Sequence, residues 1–170
     1  MEIREGTVDE FAQIAALQTD SWQRTYRGVM PDPFLDVDLR SILDSYWASL
    51  QMGADDFVLV ADQKGLQGFI AVSIKDIPYI ENLHVSASAQ SRGLGRRLMQ
   101  AAAQRLIDSG YESLYLGVAT DNQRAIRFYQ ELGGRFSDPE PEAIFGVQVE
   151  VARVDWTSLS DLIARSGNAG

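Results

Sequence analysis

Apolar positions along the chain recur with two different periods, and the change of period marks the elements. Ile3 to Gly6 reads as a short strand. Thr7-Val8-Asp9-Glu10 reads as a capping box, with Thr7 as N-cap and Glu10 reaching back. Val8, Phe11, Ala15 and Leu17 or Gln18 follow at roughly helical spacing, which predicts a helix to about Trp22. Gly28, Pro31 and Pro33 mark a loop. Leu39, Ile42, Leu43, Tyr46, Trp47 and Leu50 then line one face of a second helix. Phe57-Val58-Leu59-Val60-Ala61 and Phe69 to Ile74 read as buried strands, with Lys64-Gly65 suited to a hairpin turn between them. Tyr79 to Val85 is a third strand of this run. Leu94, Leu98, Ala101, Ala102 and Leu106 predict a helix ending near Ser109-Gly110. Leu114, Leu116 and Val118 alternate as a strand, Asn122 to Leu132 is helical with Gly133 as its stop, and Phe145, Val147, Val149 and Val151 alternate in a last strand. The order is βααβββαβαβ, an α/β (α+β) single domain over residues 1–165, with 166–170 expected to fray.

The chain has 170 residues and 45% hydrophobic residues, enough for one sizeable core. No apolar stretch reaches membrane-spanning length, and the N-terminus lacks signal-peptide regions, so a cytoplasmic protein without a membrane partner is expected. There is no cysteine, which excludes disulfides and thiolate nucleophiles, and the one histidine, His84, builds no multi-histidine metal site. No metal is expected. The net charge of -9 argues against a nucleic-acid partner. Yet Asn82 to Ile107 holds no acid, while Arg92, Arg96, Arg97 and Arg105 fall there and Arg124, Arg127 and Arg135 follow. Such a block is either a solvated helix face or a site for one small anion.

The strand Tyr79 to Val85, the loop Gln90-Ser91-Arg92-Gly93-Leu94-Gly95 and the following helix favour the second reading. A helix N-terminus offers free N–H donors and the positive end of the macrodipole. Glycines let backbone approach an anion, and phosphates bind such places. No Gly-Lys-Ser/Thr follows, so this is not a Walker loop. No third glycine follows either, so it is not a dinucleotide fingerprint.

Leu83-His84-Val85 followed after a short gap by Gln90 to Met99 resembles the acetyl-CoA motif of the GCN5-related N-acetyltransferase (GNAT) family. Asn122-Gln123-Arg124-Ala125-Ile126-Arg127-Phe128-Tyr129, ending in Gly133-Gly134, resembles that family's second signature, with Gly134 where Phe is commoner. The resemblance covers about residues 1 to 156. It implies a mixed, mostly antiparallel central sheet flanked by helices, and acetyl-CoA as acyl donor. It implies that Leu83, His84 and Val85 pair with pantetheine, that amides from Gln90, Ser91, Arg92, Gly93, Leu94, Gly95 and Arg96 hold the pyrophosphate, and that Asn122 contacts the pantetheine arm. Arg127 reaches the adenosine phosphates on this reading, or is a surface charge.

By the same resemblance Tyr129 donates to the coenzyme sulfur, unless it is a core tyrosine beside Phe128. Glu81 matches a position used as base, and is otherwise an edge carboxylate. Alternation puts Glu81 on one strand face with Leu83 and Val85, where partial desolvation would raise its pKa. His84 is the rival base or a satisfied buried histidine. Asp20, Trp22 and Tyr26 form an acidic, aromatic rim for a cation, or Trp22 and Tyr26 are core. Asp32, Asp36 and Asp38 add to the acids expected over the acceptor cleft. The expected acceptor is a small-molecule amine, a cation such as a polyamine. A protein acetyltransferase and a non-catalytic acyl-CoA sensor are the alternatives, and a homodimer stays open.

Overall fold

The computed structural model describes residues 1–165, so the expectation of a frayed 166–170 tail lies outside the described residues. Two neighbouring strands, β2 (Phe57–Asp62) and β3 (Leu66–Ser73), are buried on both faces. Phe57, Leu59, Ile70 and Val72 face one core, and Val58, Val60, Phe69 and Ala71 face another. A continuous apolar run is what a strand covered by helices on both sides requires.

The first core is closed by α3 (Leu94–Asp108), α4 (Gln123–Glu131) and α5 (Leu159–Ala164). The second is closed by α1 (Phe11–Tyr26) and α2 (Leu39–Ser49), whose Ile14, Leu39, Leu43 and Trp47 are essentially fully buried. Each such side chain stabilises the fold by about 1.5–3 kcal/mol. The sheet runs β1 (Glu2–Glu5), β2, β3, β4 (Tyr79–Val85), β5 (Leu114–Ala119), β8 (Val147–Trp156), β6 (Arg135–Phe136), with β7 (Glu140–Ile144) also on β8. All pairs are antiparallel except β4 with β5.

That one parallel pair is joined at a single position, Tyr79 opposite Tyr115. Beyond it β4 and β5 part, and the gap between them becomes a cleft open to both cores.

The element order is longer than βααβββαβαβ, because β6, β7 and α5 are added at the C-terminal end. Phe145, expected in the last strand, is instead in the turn between β7 and β8, at φ +48. Thr7 N donates to Glu10 Oε2 at 2.9 Å, but the capped element is a 3-10 turn over Val8–Glu10 that leads into α1. The helix α1 runs on to Tyr26, one turn beyond Trp22.

Candidate active site

One cleft of ≈ 650 Å³ fills the gap between β4 and β5. At one end lies the start of α3. After β4 a 3-10 turn over Ala87–Ala89 brings the chain into the loop, where Ser91 and Gly93 both take positive φ, +64 and +73. Gln90, Ser91, Gly93, Leu94, Gly95 and Arg96 line the cleft there. Nothing lies within 4 Å of where a Cβ on Gly93 would sit, so its glycine answers to backbone conformation. Gly95 differs: a Cβ there would lie 3.1 Å from Phe128 Cζ, so its bareness lets α3 pack on α4.

The arginines are distributed differently from the expected cluster. Arg92 and Arg127 are exposed and do not line the cleft. Arg97 donates to Met1 O at 3.2 Å, and Arg105 pairs with Glu5 at 2.9 Å, on the outer side of α3. Helical rotation of about 100° per residue spreads consecutive basic positions around the axis. Arg96 remains at the cleft, its Nη1 donating to Arg165 O at 2.8 Å. Arg124 joins it, one turn before the position expected to matter, with Nη2 donating to Ser91 Oγ at 3.2 Å.

Leu83, His84 and Val85 all line the cleft along β4. Arg24 Nη2 donates to Val85 O at 3.4 Å. The alternation expected along this strand is broken. Ala71 pairs with Asn82 but Val72 with Ile80, so Glu81 is an extra residue in a β-bulge. The bulge puts Ile80, Leu83 and Val85 together against the α3 core. Asn82 and His84 turn toward α1, bonding Gln18 and Ser21 respectively.

Glu81 therefore does not share the apolar face of Leu83 and Val85, and the desolvation expected there is absent. Its carboxylate is exposed, accepts from Ser73 Oγ at 2.8 Å and faces Lys75 Nζ at 3.8 Å. His84 sits deeper. Burial, with the Arg24 guanidinium adding repulsion, pushes its pKa down to about 4, so the ring is neutral near pH 7. Its Nδ1 lies 2.9 Å from Ser21 Oγ.

Tyr129 is 7% exposed and lines the cleft from α4, between Phe128 and Trp156. Burial, and the neighbouring Tyr26, raise its pKa well above the usual phenol range, so its hydroxyl keeps its proton. Asn122 caps α4, its Oδ1 accepting from Ala125 N at 3.2 Å.

Glu81 and Glu142 line the cleft with Tyr79, which lies near both, and with Trp22, Tyr26, Tyr46 and Phe145. Trp22 stacks edge-on to Tyr26 at 5.2 Å, and Phe145 reaches Trp22 at 5.8 Å from the β7–β8 turn. Burial and the charges of Glu81 and Glu142 push the Tyr79 pKa up to about 12. Tyr46, Tyr79, Glu142 and Phe145 were not foreseen as cleft residues. Glu142 comes from a strand without hydrophobic alternation, and the alternation of Phe145 with Val147 predicts strand where the chain turns. Asp20, expected on this rim, is exposed on the opposite side of α1, half a helical turn from Gln18 and Trp22. Asp32 and Asp36 are spent on Arg27, at 3.1 and 2.7 Å, and do not line the cleft.

Among the described residues no group of His, Asp and Glu is placed to hold a metal ion, and no helix is long and apolar enough to cross a membrane. The sequence model of the acetyltransferase (GNAT) family matches residues 14–134. The chain is 26% identical over 168 residues to the uncharacterized N-acetyltransferase YuaI of Bacillus subtilis, covering 94% of this chain and 95% of that one. A GCN5-related N-acetyltransferase structure from Rhodopseudomonas palustris superposes with a TM-score of 0.75 at 17% identity, over 92% of this chain and 94% of that one. The paia N-acetyltransferase of Thermoplasma acidophilum, solved in complex with coenzyme A, gives 0.67 at 18% identity, over 91% and 98%.

Proposed function

The chain belongs to the acetyltransferase (GNAT) family and is an acyltransferase, and from that premise we propose that it moves an acetyl group from acetyl-CoA directly onto the primary amine of a small cation. The observation that carries the proposal is a single cleft with an anion cradle at one end, a buried protonated tyrosine along its wall, and acids among aromatics at the other end.

The residues present fit acetyl-CoA. Free amides at the start of α3, the positive-φ loop at Ser91 and Gly93, and the guanidiniums of Arg96 and Arg124 suit a pyrophosphate. The edge of β4 that faces β5, unpaired beyond Tyr79, suits the amides of a pantetheine arm. The thioester supplies an activated acyl group when bound.

The chain must then take a proton from an ammonium and give one to a departing thiolate. Tyr129 is suited to the second task, because burial holds its proton on and the hydroxyl lines the cleft. Glu81 is suited to the first, since its carboxylate is exposed at the acceptor end of the cleft. His84 is a weaker base, its conjugate acid being held near 4. Holding both partners in line contributes up to about 7–11 kcal/mol, and each proton transfer about 10²–10⁴-fold.

Glu81 and Glu142 with Trp22, Tyr46 and Tyr79 support a cationic acceptor, through Coulomb attraction and ring faces that suit cations. The test is thiol release from acetyl-CoA across amines whose remaining groups are cationic, neutral or anionic. Cationic amines should be preferred, with kcat/KM falling as salt rises. Turnover of neutral or anionic amines while cationic ones fail would refute the acceptor reading.

A further inference from the structure

On the α1 side of the cleft a chain of hydrogen bonds runs from the core to the cavity wall. Trp47 Nε1 donates to Gln18 Oε1 at 2.8 Å, and Gln18 Nε2 donates to Asn82 Oδ1 at 2.9 Å. Trp47 is 1% exposed and Gln18 2%. An indole nitrogen donates and never accepts. It therefore fixes which end of the Gln18 amide faces it, and Gln18 in turn fixes Asn82. No other arrangement satisfies the two buried side chains, Trp47 and Gln18, together with the part-buried Asn82. The consequence is that the Asn82 oxygen is committed inward. Its NH2 has no hydrogen-bond partner among the described residues, and Asn82 lines the cleft beside Glu81.

This NH2 is a neutral donor on a residue of the cleft wall, next in sequence to Glu81. A neutral donor suits a neutral oxygen. A carboxylate would be repelled by Glu81 and Glu142 in the same space. We infer that Asn82 is a specificity-determining residue that reads a neutral carbonyl oxygen on the acceptor, so that the substrate is a cationic amine carrying an amide, with Gln18 and Trp47 as positioning residues. The inference rests on the amine-acetyltransferase reading above and narrows its substrate class.

The test compares lysinamide, lysine and 1,5-diaminopentane as acceptors. The wild type should favour lysinamide by about tenfold in kcat/KM over either of the others. Asn82→Asp keeps the side-chain shape and the bond from Gln18 but offers no donor. It should erase the preference for lysinamide over the diamine. Gln18→Glu accepts from Trp47 yet cannot donate, so Asn82 must turn its oxygen outward. It should also erase the preference while the KM for acetyl-CoA stays put, an effect that general loosening would not produce. If lysinamide rises further when extended into a short peptide beginning with lysine, the oxygen belongs to a peptide bond. If it does not, a free amino amide is the source. Equal use of lysinamide and diamine by the wild type, or a preference that survives Asn82→Asp, would overturn the inference while leaving amine acetylation standing. Turnover of none of the three would overturn both.

Discussion

Arg124 on α4 donates through Nη2 to Ser91 Oγ at 3.2 Å, tying the second signature helix to the loop that opens α3. The contact holds a guanidinium beside a residue at φ +64, on one side of the proposed pyrophosphate cradle. Arg124→Ala should raise the KM for acetyl-CoA about five- to tenfold with little change in kcat, the loss of one exposed charge-assisted contact. Arg127→Ala should leave both within about twofold. Steady-state kinetics on the pair decides between the two arginines.

Gly93 tests the cradle itself. At φ +73 any side chain strains the backbone, and a β-branched one most. Gly93→Val should lower stability by about 1–3 kcal/mol and weaken CoA binding strongly, because the amides at the helix start lose their aim. Gly93→Ala should do less of each. Calorimetry with CoA on the folded variants reads the binding part. Unchanged affinity in folded Gly93→Val would remove the loop from the account.

How much of this was legible in the sequence follows from what each residue answers to. The β2–β3 pair, α2, α3, α4 and the strand–loop–helix turn after β4 are written in local periodicity and in glycine placement, and they stand where expected. Glu81 is not, because a bulge shifts a strand by one residue without altering composition, and alternation counted from Tyr79 then assigns the wrong face. Glu142 lies in Glu140–Ile144, which is almost wholly exposed and is a strand only through its pairing with β8. Its entry into the cleft is a tertiary fact. A charge count places Asp32 and Asp36 in a field over the acceptor, but it does not reveal that Arg27 pairs with both.

His84 gives the fold a pH dependence of its own. Its folded pKa is lowered to about 4 from an ordinary 6.5, burial being the main cause. Above about 6.5 both folded and unfolded states hold a neutral ring, and the contribution is fully present. As pH falls toward about 4 the unfolded chain takes up a proton that the fold refuses, so stability drops across that window. The gap from 6.5 to about 4 corresponds to at most about 3 kcal/mol. Denaturant melts between pH 7 and 4 should show the decline in the wild type and a flatter curve in His84→Gln.

The choice of base separates by pH–rate profiles. Glu81→Gln should lower kcat by about 10²-fold across the profile, whereas His84→Ala should retain most of the rate. The reverse outcome would assign the proton to the imidazole, despite its depressed basicity.

Tyr129 carries the central claim, that the cleft performs acetyl transfer with a protonated phenol at the departing sulfur. Its hydroxyl matters once the sulfur gains charge and little before. The decisive measurement is amine-dependent thiol release from acetyl-CoA by wild type and Tyr129→Phe, beside the acetyl-CoA Kd of each. The account predicts release in the wild type, a fall in kcat of about 10²-fold or more in the variant, and Kd values within about twofold. Full activity of Tyr129→Phe, or no amine-dependent release by the wild type, would contradict it.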